Sequence, residues 1–175
     1  ITSEDGVAVL RTDDGVVRGV DGLAVEPADG FYWMGFFDEE QVEHSQVHDV
    51  NQDGDGEDAF AVVAFRPSGG GEPVVVVDTN GDGSFEGESV RKSYRHQQEW
   101  FSFGHADPKK NQTPVAFTVT VFPEGEKKVE IHFDDGGHGT HVAGISTGHG
   151  IHGRKGFDGI APGATVISLK IGNNN

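Results

Sequence analysis

Asp-Gly pairs cut the opening of this chain into apolar runs too short for anything but strands. They stand at positions 5–6, 14–15 and 21–22, between Val7 to Leu10, Val16-Val17 and Leu23 to Val25. An aspartate can bond its own backbone and the glycine after it can take positive φ, so the pair marks a tight turn between strands. Residues 1–30 therefore predict a β-meander. With 27 glycines in 175 residues, turns and loops must occupy much of the length, while 34% hydrophobic residues still suffice for one domain-sized core.

The same logic continues downstream. Phe31 to Phe37 is an aromatic run that reads as a strand, and Asp38 to Val47 fits either a helix or a polar loop. Two copies of a strand and an acidic loop follow. Asp49-Val-Asn51-Gln-Asp53-Gly54 leads into the strand Ala59 to Phe65, and the strand Val74 to Val77 leads into Asp78-Thr-Asn80-Gly-Asp82-Gly83. Residues 89–100 are polar with helical potential. Val115 to Phe122 and Lys127 to Phe133 predict a hairpin closed by Pro123-Glu124-Gly125-Glu126. The aromatic residues Phe31, Tyr32, Trp33, Phe36, Phe37, Trp100, Phe101 and Phe103 are core candidates, with a partner interface as the alternative.

Near Asp134 the pattern changes. Asp134-Asp135-Gly136-Gly137 enters His138 to Gly148, small and apolar enough for a buried helix. Gly159-Ile160-Ala161-Pro162-Gly163 is a turn, and Thr165 to Ile171 (TVISLKI) reads as a strand. Loop, helix, turn and strand in that order make an α/β crossover element. The division falls between 1–133, rich in β, and 134–175. Both ends look cut, since the chain starts at Ile1 and stops just after a strand-like run.

Charge and composition narrow the partners. Thirteen basic against 29 acidic residues leave a net charge of −16, which argues against nucleic acid or an anionic membrane as partner. There is no cysteine, so disulfides and thiolate metal sites are excluded. No apolar run approaches the ~20 residues of a membrane helix. The compartment stays open.

The chemistry-bearing stretch is His138-Gly139-Thr140-His141-Val142-Ala143-Gly144. A histidine on a helix's first turn stands on a fixed backbone, and its ordinary pKa suits general-base work near neutrality. Thr140 is a candidate to cap the free amides of that turn, and Ala143 and Gly144 permit close packing. A helix N-terminus disfavours imidazolium, so a carboxylate partner is needed when the ring takes a proton.

HGTHVAG followed by GIAPGATVISLKI resembles the histidine motif of the subtilase (peptidase S8) family and the strand after it. The run VVVVDTNGDGSFEGESVRKSYRHQQEWFSFG, a hairpin, and then GGHGTHVAG is most similar to the branch containing tripeptidyl peptidase II and pyrolysin. There a β-rich insertion separates the catalytic aspartate from the histidine. The stretch from Val17-Arg18-Gly19 to Phe31-Tyr32-Trp33-Met34-Gly35 resembles the early insertion. The fold this implies is an incomplete subtilisin-like α/β core element over 134–175, preceded by a β-rich insertion over 1–133.

The resemblance also assigns roles. His138 would be the catalytic base of a Ser-His-Asp triad, with peptides or proteins as substrate and no cofactor needed for the chemistry. Asp78 follows four valines, as a subtilase aspartate follows an apolar strand, but Asn80 replaces the expected glycine. Its spacing repeats Asp49, Asn51, Asp53, and repetition favours one shared local role. The triad aspartate is then expected before Ile1. No Gly-Thr-Ser-Met-Ala string is present. Gly144-Ile145-Ser146-Thr147-Gly148 matches a nucleophile-elbow pattern, but Ser146 falls late in the helix rather than on a strand-to-helix turn. The remainder of the peptidase domain, carrying Asp and Ser, is therefore the expected partner, and the chain alone is expected to be inactive.

Asp49, Asn51, Asp53 and Asp78, Asn80, Asp82 also suggest calcium as a structural ion, since they repeat the first half of an EF-hand loop. Position 12, normally a bidentate glutamate, holds Phe60 in one copy and Ser89 in the other. Glu57 or Asp58, and Glu86 or Glu88, are the available substitutes. The competing reading is an Asx turn that uses these side chains on its own backbone. His138 and His141 lack the His-Glu-x-x-His spacing of a zinc peptidase, and His149 and His152 read as solvent-exposed. The function from a different class is a β-rich calcium-binding or protein-interaction module without catalysis.

Overall fold

A computed structural model describes residues 2–4, 7–11, 16–19, 27–28, 32–42, 49–104, 115–134 and 136–169. The chain divides into two compact units, Ile1–Glu43 with His48–Asp134, and His44–Val47 with Asp135–Asn175.

In the first unit every strand pair is antiparallel. Strands β1 (Thr2–Glu4), β2 (Val7–Arg11) and β3 (Val16–Arg18) pair in chain order as a meander, and the Asp-Gly pairs at 5–6 and 14–15 lie outside the described residues. The third predicted run, Leu23 to Val25, lies outside the described residues. A four-stranded sheet follows, in the order β4 (Trp33–Asp38), β5 (Ala59–Phe65), β6 (Val74–Val77), β7 (Arg91–Lys92). A three-stranded sheet has the order β10 (Lys128–Phe133), β9 (Ala116–Phe122), β8 (Phe101–Ser102).

Strand β5 shows why the run AFAVVAF is apolar throughout. Side chains alternate across a strand, yet every residue from Phe60 to Phe65 is buried, so both faces are covered. Ala61, Val63 and Phe65 pack with Val74, Val76 and Phe85. On the other face Phe60 meets Phe103, ring centroids 5.0 Å apart. Phe103 in turn lies 4.3 Å from Phe117 and 5.7 Å from Phe37. Of the aromatic candidates, Phe101 and Phe103 are core, Tyr32, Trp33, Phe36 and Phe37 are half-buried, and Trp100 is 69% exposed. Phe31 is outside the described residues.

Two local expectations fail, and a third, left open between helix and loop, is decided only in part. Residues 89–100 hold the short strand β7 and the turns that follow it, not a helix: His96 N–H and Gln97 N–H both donate to the Ser93 carbonyl. Asp38 to Val47 holds only one 3-10 turn, Glu39–Val42, among its described residues. Thr165 to Ile171 is not a strand over 165–169, and 170–171 are not described. A strand exists only by bonding a neighbour, and none of the described residues pairs with 165–169. The α/β crossover is accordingly absent from the described residues, which hold antiparallel sheets and one helix.

Candidate active site

The helix α1 (His138–Thr147) begins where the motif predicts. His138 is its first residue, and the first helical bond runs from His141 N–H to the Gly137 carbonyl at 2.9 Å. The N-cap is Gly137, which brings no side-chain bond to the free amides. His138 and His141 are exposed, so the ring is open to a reactant. The helix is not buried, contrary to expectation: it holds no buried residue, and Val142 and Ile145 are 47% and 55% exposed. A helix this apolar buries only against another layer, and the second unit supplies none among its described residues.

The far end of α1 is firmly closed. Carbonyls of Ile145, Ser146, Thr147 and Gly148 accept from the amides of Ile160, Ala161, Gly163 and Gly159, at 3.0, 2.7, 3.3 and 2.7 Å. These are the orphan acceptors that end any helix, and the GIAPG turn satisfies them as a set. Ser146 lies within α1, so it is not on an elbow. His149 and His152 are exposed, with His149 Nδ1 3.4 Å from Asp158 Oδ1.

The acidic loops lie in the other unit. Asp78 is fully buried, its Oδ1 accepting from Gly81 N–H at 3.0 Å and its Oδ2 from Gly83 N–H at 2.8 Å. Asp49 does the same with Asp53 N–H (3.1 Å) and Gly54 N–H (3.0 Å). Asp53 N–H also reaches Asn51, Asp53 accepts from Asp55 N–H, and Asp82 accepts from Ser84 N–H. This is the bonding of Asx turns. Asn80 Nδ2 donates to Asp82 at 2.9 Å.

Burial pushes the Asp78 carboxyl up to about 6, against the opposing Gly83 amide and with the help of the Asp82 and Glu88 charges. Glu39, 2% exposed, is also raised by burial although Val50 and Asp58 amides donate to it at 2.6 and 3.1 Å. Asp58 is raised by burial and by Asp53 and Asp55, with Asn51 opposing. Glu39, Asp55 and Asp58 place one oxygen each within 4.8 Å of one another. The sequence reading missed Glu39, which folds in from before the loop where a pattern of alternate positions cannot see it, and Asp55, which continues the 49, 51, 53 alternation by one step. Asp49, Asp53, Asp78 and Asp82 do not belong to that group, while Asn51 Nδ2 donates to Asp58 at 2.6 Å.

No helix among the described residues is long and apolar enough to cross a membrane. A model of the subtilase family matches residues 69–175. The chain is 39% identical to tripeptidyl-peptidase 2 of Arabidopsis thaliana over 83 residues, 47% of the chain and 5% of that protein. Against pyrolysin of Pyrococcus furiosus it is 30% identical over 128 residues, 71% of the chain and 8% of the relative. Tripeptidyl-peptidase 2 of Caenorhabditis elegans is 41% identical over 64 residues, 37% of the chain and 4% of that relative. The chain thus spans under a tenth of the length of these relatives. No solved structure matches.

Proposed function

The chain belongs to the subtilase family, and from that premise we propose that it is part of a serine peptidase in which His138 is the general base. The observation that carries this reading is an exposed imidazole on the first residue of a helix whose other end is fully capped. His138 takes a proton from a serine, then returns it to the leaving amine of a cleaved peptide bond. The serine, the aspartate that orients the ring and the oxyanion donors come from polypeptide outside residues 1–175. Residues 134–175 serve the peptidase domain, and residues 1–133 are a β-rich insertion between the aspartate and the histidine.

A fluorophosphonate probe, which reacts with an activated serine, tests this. It labels the whole protein and leaves residues 1–175 alone unlabelled. Labelling of the isolated chain at Ser146 overturns the assignment, and undiminished labelling of a His138→Ala whole protein overturns the role of His138.

The convergence of Glu39, Asp55 and Asp58 favours a second reading for the insertion: a structural calcium ion held beside the Asp49–Asp53 and Asp78–Asp82 loops. Three hard oxygen donors suit calcium, which draws its further ligands from carbonyls and water.

A further inference from the structure

The β-rich unit has a groove that the peptidase chemistry does not use. Its volume is about 330 Å³, and it is walled by Trp33, Phe37, Val62, Ala64, Val121 and Ile131, among others. Two features mark it. Strand β4 ends one sheet and β10 ends the other, so two strand edges border a single apolar slot. Along β4 the alternation also breaks at Gly35: a Cβ built there meets nothing within 4 Å, so the missing side chain leaves the slot open. Trp33, Phe37, Val129 and Ile131, whose side chains share the groove, remain only partly covered.

The charge of the groove is opposite to that of the chain. Acidic residues outnumber basic ones 29 to 13 overall, yet the lining contains Lys127 and Lys128 and no carboxylate. Both lysines are held over aromatic rings, Lys127 Nζ 4.9 Å from the Trp33 centroid and Lys128 Nζ 4.9 Å from that of Phe122. Lys128 is also paired with Glu130 at 2.6 Å, which leaves Lys127 as the principal cation for a ligand.

We propose that this groove binds an extended peptide with apolar side chains at alternate positions and carboxylates between them, added as a strand along the β4 and β10 edges. Edges that no described residue pairs with supply backbone pairing, the slot takes every second side chain, and the lysines select acidic partners. The groove lies within the β-rich unit, and its test reads binding, so its failure leaves family membership and the role of His138 untouched.

The experiment uses the 175-residue chain with Trp100→Phe, so that Trp33 alone reports. The probe is the blocked hexapeptide Glu-Val-Glu-Phe-Glu-Val, with a Lys-for-Glu counterpart as control. A saturable change in Trp33 emission is expected with the acidic peptide only. Lys127→Glu weakens it roughly tenfold, and Gly35→Leu, which fills the slot without burying charge, abolishes it. Unchanged circular dichroism verifies that both variants fold. The proposal is overturned if neither peptide binds, if the basic one binds equally well, or if binding survives Gly35→Leu. Sedimentation showing a dimer that Gly35→Leu dissociates assigns the groove to a second copy and also overturns it.

Discussion

The amide of Ile160 donates to the carbonyl of Ile145 at 3.0 Å, tying the GIAPG turn to the helix that begins with His138. Three neighbouring bonds repeat the arrangement. The turn is therefore the C-terminal cap of α1, made by a segment of the same chain more than ten residues on. With few apolar contacts to hold it, the helix depends on these bonds.

Gly159 is the point where that cap is most easily broken. A Cβ there would lie 2.7 Å from the Ile145 carbonyl oxygen and 2.8 Å from the Thr147 nitrogen, both backbone atoms that cannot swing aside. Gly159→Ala should push the turn away and release several bonds worth about 1 kcal/mol each. Hydrogen exchange at Ile160 and Ala161 should accelerate by about fivefold per bond lost, while amides of β5 and β6 keep their protection. Equal protection in both proteins refutes the capping role.

Asp78 makes stability rise on mild acidification. Its folded pKa of about 6 stands above the ordinary 3.8, so the folded state binds the proton more tightly than the unfolded one. That contribution is fully present below the unfolded pKa and is lost as pH rises through about 6. The shift corresponds to roughly 3 kcal/mol. Glu39 and Asp58 are shifted in the same direction. The melting temperature should therefore climb between pH 7.5 and pH 5, and Asp78→Asn should flatten that climb. A profile that falls over this window, or one that Asp78→Asn leaves unaltered, contradicts the buried-carboxylate account.

What could be read from the sequence tracks how local its physics is. Strand β5, β6 and the β9–β10 hairpin were legible because apolar runs and turn residues act over a few positions. The start of α1 at His138 was legible for the same reason. The burial of α1 and the strand at 165–169 were not, since both require a partner layer that local pattern presumes rather than supplies. Glu39 was invisible as a clasp on residues 50 and 58, because nothing in its own neighbourhood points to a loop ten residues on. Residues 89–100 misled through composition: polar side chains there serve turns, with Ser93 accepting two amides.

Phe103 is the keystone of the packing between the sheets. It is fully buried and touches Phe37, Phe60 and Phe117 at centroid distances of 5.7, 5.0 and 4.3 Å. Phe103→Ala should cost about 3–5 kcal/mol, measured by urea denaturation followed through Trp33. Phe101→Ala, by contrast, removes a ring with one described aromatic neighbour, Phe117, and the Arg91 guanidinium above it. Its cost should be smaller. Equal costs at the two positions would show that the sheets are not held chiefly through residue 103.

Calcium can be separated from the proton because both answer the same crowding of charge. Glu39, Asp55 and Asp58 repel one another, and burial raises two of the three. A divalent cation relieves that repulsion, and protons compete with it as pH falls at Glu39 and Asp58, whose carboxyls burial pushes up. Calcium at a hundred times its dissociation constant adds about 2.7 kcal/mol to stability, and for a chain of this size each kcal/mol moves Tm by about 2–4 °C. The rise should therefore be several degrees at pH 7.5, should shrink at pH 5, and should disappear in Asp58→Asn. A Tm indifferent to both millimolar calcium and EDTA at pH 7.5 removes the ion from the insertion and leaves the loops as Asx turns that bond only themselves.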